Sequence, residues 1–429
     1  MRVRETLSHP ESKEHDEGPF MGAGVKQAPR SLSLALLTSF ERQPQCPRPM
    51  HAPAAIDCST ARRRMDGLDV LRACAILGVL LFHAPEVVHH ALPAPLRAAF
   101  THGWMGVNLF FVLSGYLVGK QVFAPEDEAP LGTRLRVFWL KRWMRTLPLY
   151  FGVLAIYALK PWTVGTPFLG GGWHYAVFLQ NFSMPRDFVQ SWSLCVEEHF
   201  YFVLPLVAFA PGARRWPAWV WLLPLGLSIL ARALFIRGLP LNQPLVLLAE
   251  GAPWSTDQHL DGLAVGVFLA RTSATWRDWS RTSRLACAFL GGVALLVTVV
   301  RWGAVVTTTS HPWIHAGLAV GFGGVLIGVE SLQLARGFRW SVQQVALLSY
   351  GAYLWHGLVV RVAERMGVSL GLWSLDLLTF LLITLGGAWV TYFTVEKPCL
   401  KIRDAILERW KLRDESPLRD NMTGQKSAP

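Results

Sequence analysis

LDVLRACAILGVLLFHA, residues 68 to 84, is an apolar run of about five helical turns that, beyond Asp69 at its start, carries the ionisable side chains Arg72 and His83. They stand eleven positions apart. At about 100° per residue this brings His83 back to within roughly 20° of Arg72, about 16 Å further along the helix axis. A charge aimed into lipid is costly, so a helix with Arg and His on one face turns that face toward protein or a polar cavity. The stretch predicts a membrane helix lining a polar site, with the rest of the chain built around it.

The composition agrees. Of 429 residues, 52% are hydrophobic, 12% aromatic and 16% charged, which is too apolar for a soluble chain of this length. Recurrent apolar runs, many near 20 residues, predict an all-α polytopic integral membrane protein, because about 20 helical residues cross the hydrocarbon core. Ten spans are expected, at 68–88, 104–123, 147–161, 191–210, 217–236, 258–271, 285–303, 313–334, 343–363 and 372–394. The runs at 147–161 and 258–271 are short and are expected to begin or end inside the protein. GGWHYAVFLQNF, residues 171–182, is expected to be re-entrant or to lie on the surface.

A net charge of +12 would suggest nucleic acid in a soluble protein. Here the basic residues fall between apolar runs, so no nucleic-acid partner is expected. If the first span starts in the cytoplasm, the inner loops hold Lys120, Arg134, Arg136, Lys141, Arg142 and Arg145, then Arg214 and Arg215, Arg271 to Arg284, and Arg336 and Arg339. The outer loops hold little beyond Arg97, Arg186, Arg237 and Arg365. This positive-inside pattern puts both termini in the cytoplasm. Residues 1–64 are polar and Pro-rich and are expected to be a disordered extension, with Met65, just after Arg62, Arg63 and Arg64, as an alternative start. Residues 404–429 are expected to form a cytoplasmic tail, disordered at its end. The six cysteines show no metal or CxxC spacing.

Further stretches place polar residues in or beside apolar runs: GVNLFFVLSGYLVG (106–119), FWLKRWMRTLPLY (138–150), QSWSLCVEEHFYFVLPL (190–206), HLDGLAVGVFLA (259–270), SYGAYLWHGLVV (349–360) and TVEKPCL (394–400). Together with the first stretch, and in this order, they resemble acyltransferase family 3, integral membrane enzymes that acylate surface glycans and some natural products. The resemblance runs from about 66 to 403 and implies a single-domain member. Asn108 stands where the family usually has Asp, Cys195 where Ser is usual and His259 where Arg is common.

The residues suggest a division of labour. His83 lies roughly 22 Å above the inner end of its span and Glu197 roughly 9 Å below the outer end of its own, so the two can meet at similar depth. A carboxylate beside a histidine fixes its tautomer and favours the imidazolium, which suits a general base. The resemblance implies the same role for His83. Ser193, Glu197 and Tyr201 share a helix face, which favours Glu197 over Glu198; Glu198 is the candidate for holding a neighbouring helix. Arg142 and Arg145 form a fork suited to phosphate. In an acyl-CoA enzyme the nucleotide would stay there while the pantetheine arm carries the thioester inward past Arg72. Ser114, beside Gly115, lacks a nucleophile elbow and is expected at a close helix contact. Asp261, Tyr353 and His356, with Ser114, Glu198 and Tyr201, are candidates for lining the cavity or the acceptor side. Glu396 is expected to pair with a cation, and Pro398 to end the last helix.

The expected activity is O-acyl transfer, with acetyl as the expected group, from cytoplasmic acyl-CoA to a hydroxyl of a glycan, lipid-linked glycan or natural product at the inner membrane. Acyl-CoA enters as co-substrate, with no bound cofactor and no metal. The rival reading is a proton-coupled transporter of a lipid or sugar, since intramembrane Arg, His and Glu also suit a proton relay.

Overall fold

The structure, a computed structural model, describes residues 66–424 apart from 125–128, 162–166, 169–171, 184–186, 242–243, 245–253, 303–305 and 368. The expectations for residues 1–64 and for Met65 lie outside the described residues, as does the end of the tail from 425 to 429. The described fold is all-helical, as the apolar runs require; extended pairing among the described residues is limited to an isolated bridge between Pro244 and Thr307.

In chain order the main helices are α1 (Asp66–Phe82), α2 (Gly106–Val122), α3 (Leu131–Ala158), α4 (Trp192–Ala208), α5 (Leu223–Phe235) and α6 (Asp261–Arg271), then α7 (Arg281–Trp302), α8 (His311–Val329), α9 (Arg336–Met366) and α10 (Trp373–Thr391). A π turn, Tyr392–Glu396, leads into α11 (Lys397–Gly424). Each predicted span falls on one of α1 to α10. By length and apolarity, five helical runs among the described residues are fit to cross a membrane: Ala218–Phe235, Arg281–Trp302, His311–Val329, Arg336–Met366 and Trp373–Trp410. Length and composition do not carry the count to ten. Helices α1, α2 and α4 stop at 17 residues, roughly 25 Å, and α6 at 11. Of the two runs expected to be short, that at 258–271 is α6, almost wholly buried. The run at 147–161 is instead the second half of the 28-residue α3, which passes through Pro148.

The outer helices turn apolar faces outward. Helix α7 buries Gly291 and Thr298, while Phe289 and Val300 stand 72% and 76% exposed. Such a surface suits hydrocarbon and not water. Inside, α2 and α6 meet through small residues: a Cβ on Gly115 would lie 2.2 Å from the Leu263 carbonyl oxygen, and one on Gly266 would lie 2.3 Å from that of Val112. Without a hydrophobic drive between helices in lipid, close backbone approach of this kind supplies the packing. It also fixes the face on which Ser114 sits.

Helices α1 and α9 run parallel and in register. At one end the Arg339 Nε donates to Asp66 Oδ2 over 2.8 Å; at the other the rings of His83 and His356 meet with centroids 4.8 Å apart. The same sequence offset separates both pairs. At the C-terminal end, Pro398 does not terminate the helix. The helix runs on from α10 into α11, and the π turn just before Pro398 is the local adjustment that accommodates its missing N–H. Glu396, in that turn, makes no ion pair among the described residues, and its Oε1 is buried without a hydrogen-bond partner.

Candidate active site

A cavity of about 310 Å³ lies between α1, α2, α3, α4 and α9. On α2 its lining runs from Val107 to Gln121, roughly 21 Å along the axis. It gathers Arg72, Arg142, Arg145, Ser114, Glu197, Tyr201 and Tyr353, seven of the sequence-derived candidates, from five helices. Ser193, Thr146, Ser349 and Tyr350 join them. Tyr350 was legible as the residue three before Tyr353 on one helix face, and its hydroxyl donates to the Thr146 carbonyl over 2.6 Å. Thr146 and Ser349 carried no comparable signal.

Tyr201 is the hub. Its hydroxyl hydrogen-bonds Ser114 Oγ and donates to Glu197 Oε1 over 3.2 Å, and the Arg142 guanidinium lies 5.1 Å from its ring centroid. Ser114 is therefore tied into a hydroxyl relay at the α2–α4 contact and not set up as a nucleophile. Arg142 Nε and one terminal nitrogen are buried without any hydrogen-bond partner. A buried guanidinium with unmade bonds is expensive unless a ligand completes it. Arg72, by contrast, is already paired, its terminal nitrogen 3.0 Å from Asp69 Oδ1 one turn away on α1.

His83 lies outside the lining of this cavity, just past the end of α1. Its Nδ1 is 3.0 Å from the Val79 carbonyl oxygen. A carbonyl oxygen only accepts, so Nδ1 carries the hydrogen and the lone pair of the neutral ring is on Nε2. The tautomer is set by backbone and not by a carboxylate. Glu197 and His83 are not paired here: Glu197 is taken by Tyr201, its i+4 neighbour, and Tyr353 with His356 stands between the cavity and His83. The ring centroids of Tyr353 and His356 are 5.4 Å apart. The Tyr353 hydroxyl is fixed by Ser193 Oγ at 2.6 Å and by the Gln190 carbonyl at 3.0 Å.

The remaining candidates lie off the cavity. Glu198 accepts from Thr146 Oγ1 over 2.7 Å and so joins α4 to α3. Asp261 does not reach the cavity, because Arg232 holds it bidentately at 2.6 and 2.7 Å, both residues fully buried. Two of the departures from the family pattern meet close by. Asn108 Oδ1 accepts from His315 Nδ1 over 3.1 Å, and the His259 ring lies 4.7 Å from that of His315. With His311, whose ring centroid is 5.8 Å from that of His315, an amide and three imidazoles thus share one buried cluster. Cys195 is buried, its Sγ 3.4 Å from the Ser191 carbonyl.

A family model described as an acyltransferase domain matches residues 65–395, which covers every helix that lines the cavity. The chain belongs to this acyltransferase family. Among similar proteins, the peptidoglycan O-acetyltransferase OatA of Listeria monocytogenes is 25% identical over 330 residues, 69% of this chain and 49% of that protein. A candidate O-acetyltransferase of Staphylococcus aureus strain MSSA476, SAS0844, is 25% identical over 341 residues, 70% of this chain and 51% of its own length. A candidate peptidoglycan O-acetyltransferase of Bacillus subtilis, YrhL, is 29% identical over 164 residues, 34% of this chain and 24% of its own. The chain spans about half the length of the first of these relatives that it matches. No solved structure matches it.

Proposed function

We propose that this membrane acyltransferase moves an acetyl group from cytoplasmic acetyl-CoA to a hydroxyl of an envelope glycan. The observation that carries the reading is the buried, incompletely bonded Arg142 guanidinium, in one cavity with Arg72, Arg145 and Glu197. A cavity of about 310 Å³ is at the small end of ligand sites, which run from about 300 to 1,000 Å³. It has room for a thioester arm and not for the whole donor, so the nucleotide stays at the mouth, near Arg145. Arg142 donates its free N–H groups to the arm or its phosphates. Glu197 offsets that charge from within the cavity. The thioester end reaches beyond the cavity lining, past Tyr353, to His83, which takes the acceptor proton on Nε2 as the hydroxyl oxygen bonds to the thioester carbon; the C–S pair leaves with sulfur, and His83 returns the proton to the thiolate. The glycan acceptor is favoured because relatives are named for peptidoglycan.

Thiol release from acetyl-CoA by the purified protein tests the reading directly. A protein that releases no thiol yet moves sugar or lipid across proteoliposomes is the transporter instead. Within an active enzyme, Arg142→Ala is expected to raise the KM for acetyl-CoA about tenfold or more with little change in kcat, and Lys is expected to substitute poorly, since an ammonium cannot supply the guanidinium's spread donors. An unchanged KM in both variants returns Arg142 to a packing role.

The ten-span arrangement with both termini in the cytoplasm is part of the same proposal. Ser280 and Thr309 flank α7, whose 22 residues rise roughly 33 Å. Both positions are exposed. In a background without native cysteines, Ser280→Cys is expected to resist an impermeant thiol reagent in intact cells and Thr309→Cys to react. The reverse pattern inverts the topology.

A further inference from the structure

The partner expected for His83 was a carboxylate, but the group against its ring is a second histidine. His356 Nδ1 lies 2.6 Å from the Tyr353 carbonyl oxygen, so it too carries its hydrogen on Nδ1 and its lone pair on Nε2. The two rings meet at 4.8 Å between centroids, tilted by 52°. His83 is exposed and His356 is 1% exposed, so one ring is open to its surroundings and the other backs it.

His356 is firmly mounted. The register of α1 and α9 is pinned at the far end by Asp66 and Arg339. One residue on, a Cβ at Gly357 would lie 2.6 Å from Gln190 Nε2, and that amide nitrogen donates to the Leu354 carbonyl and to the Tyr157 hydroxyl, at 3.1 and 3.2 Å. Also around His83 are Phe82, in a T-shaped contact with ring centroids 4.8 Å apart, and His89, whose Nε2 lies 3.2 Å from the Phe82 carbonyl oxygen. No carboxylate bonds to the His83 ring among the described residues.

We propose that His356 is a positioning residue for His83: a neutral imidazole whose ring face and Nε2 lone pair hold the His83 ring and stabilise the imidazolium formed when His83 takes the acceptor proton. This rests on His83 being the base of the proposed reaction. His356 stays neutral throughout. The proton moves from hydroxyl to His83 Nε2 as the C–O bond forms, and from there to the departing thiolate as the C–S bond breaks. A lone pair turned to a cation is worth about 30-fold in rate when the cation exists only in the transition state.

The test uses the full chain in detergent with acetyl-CoA alone, scoring thiol release to water. His356→Phe, which keeps a ring face but loses the lone pair, is expected to lower kcat about 30-fold at unchanged KM for acetyl-CoA. His356→Gln, whose amide oxygen takes the place of Nε2, is expected to recover part of that loss. Wild-type kcat in His356→Phe overturns the proposal, as do equal losses in both variants, a rise in KM, or a loss that tracks a lowered unfolding temperature. His83→Ala in the same assay separates the two claims. If it is as fast as wild type, the base assignment fails; if it is slow while His356→Phe is fast, only the positioning role fails.

Discussion

Replacing His83 with Ala is expected to lower acetyl transfer by about 10²-fold to 10⁴-fold while the protein still inserts and its KM for acetyl-CoA holds. Positioned proton transfer supplies that range, and the structure prepares His83 for it without a carboxylate. The Val79 carbonyl, four residues back, claims the Nδ1 hydrogen and leaves the lone pair on Nε2. Because His83 is outside the cavity lining, its loss should not disturb the donor arm held by Arg142. Glu197→Gln should also slow transfer, from the donor side, by removing the charge that offsets Arg142. The two residues share no contact, so their losses should multiply in the double mutant. A double mutant no slower than His83→Ala would mean that Glu197 and His83 come together once substrate is bound. Wild-type transfer by His83→Ala would remove the base from the mechanism.

The helix assignments were legible because apolar run length is the strongest signal a membrane sequence carries. Five of the seven cavity residues were legible because an ionisable or hydroxyl side chain inside such a run needs a polar place to go, and Arg142 and Arg145 because their spacing in a basic inner loop makes a fork for phosphate. What the sequence did not carry was pairing. Depth arithmetic put Glu197 level with His83, but depth says nothing of azimuth. Tyr201, on the same helix face, takes the carboxylate first. Asp261 looked like a cavity residue because its partner, Arg232, is 29 positions away on another helix and no spacing rule connects them. Glu396 and Pro398 were misread for a local reason. A π turn inserts an extra residue into the helical ladder, which leaves Glu396 without a direct ion pair and lets the helix run on through Pro398, and no residue pattern marks such a turn in advance.

Asp261→Asn is expected to cost about 3–5 kcal/mol of stability, a loss on the scale of that from breaking any fully buried ion pair. Arg232 is completely buried, and its guanidinium binds both Asp261 oxygens. Its other donors go to the Gln258 carbonyl and to the Pro312 carbonyl at the start of α8. One side chain thus ties α5, α6 and α8 together, next to the glycine contact that seats α6 against the cavity helix α2. Neutralising Asp261 strands a buried cation where neither water nor a carboxylate can reach it. Removing both charges, as Arg232→Met with Asp261→Leu, leaves only the two carbonyls unpartnered and should cost less than the single change. Equilibrium unfolding in mixed micelles measures both variants. The folded fraction of Asp261→Asn should keep the wild-type KM for acetyl-CoA, since Asp261 does not touch the cavity. A stable variant with a raised KM would return Asp261 to the site and make its pairing with Arg232 incidental.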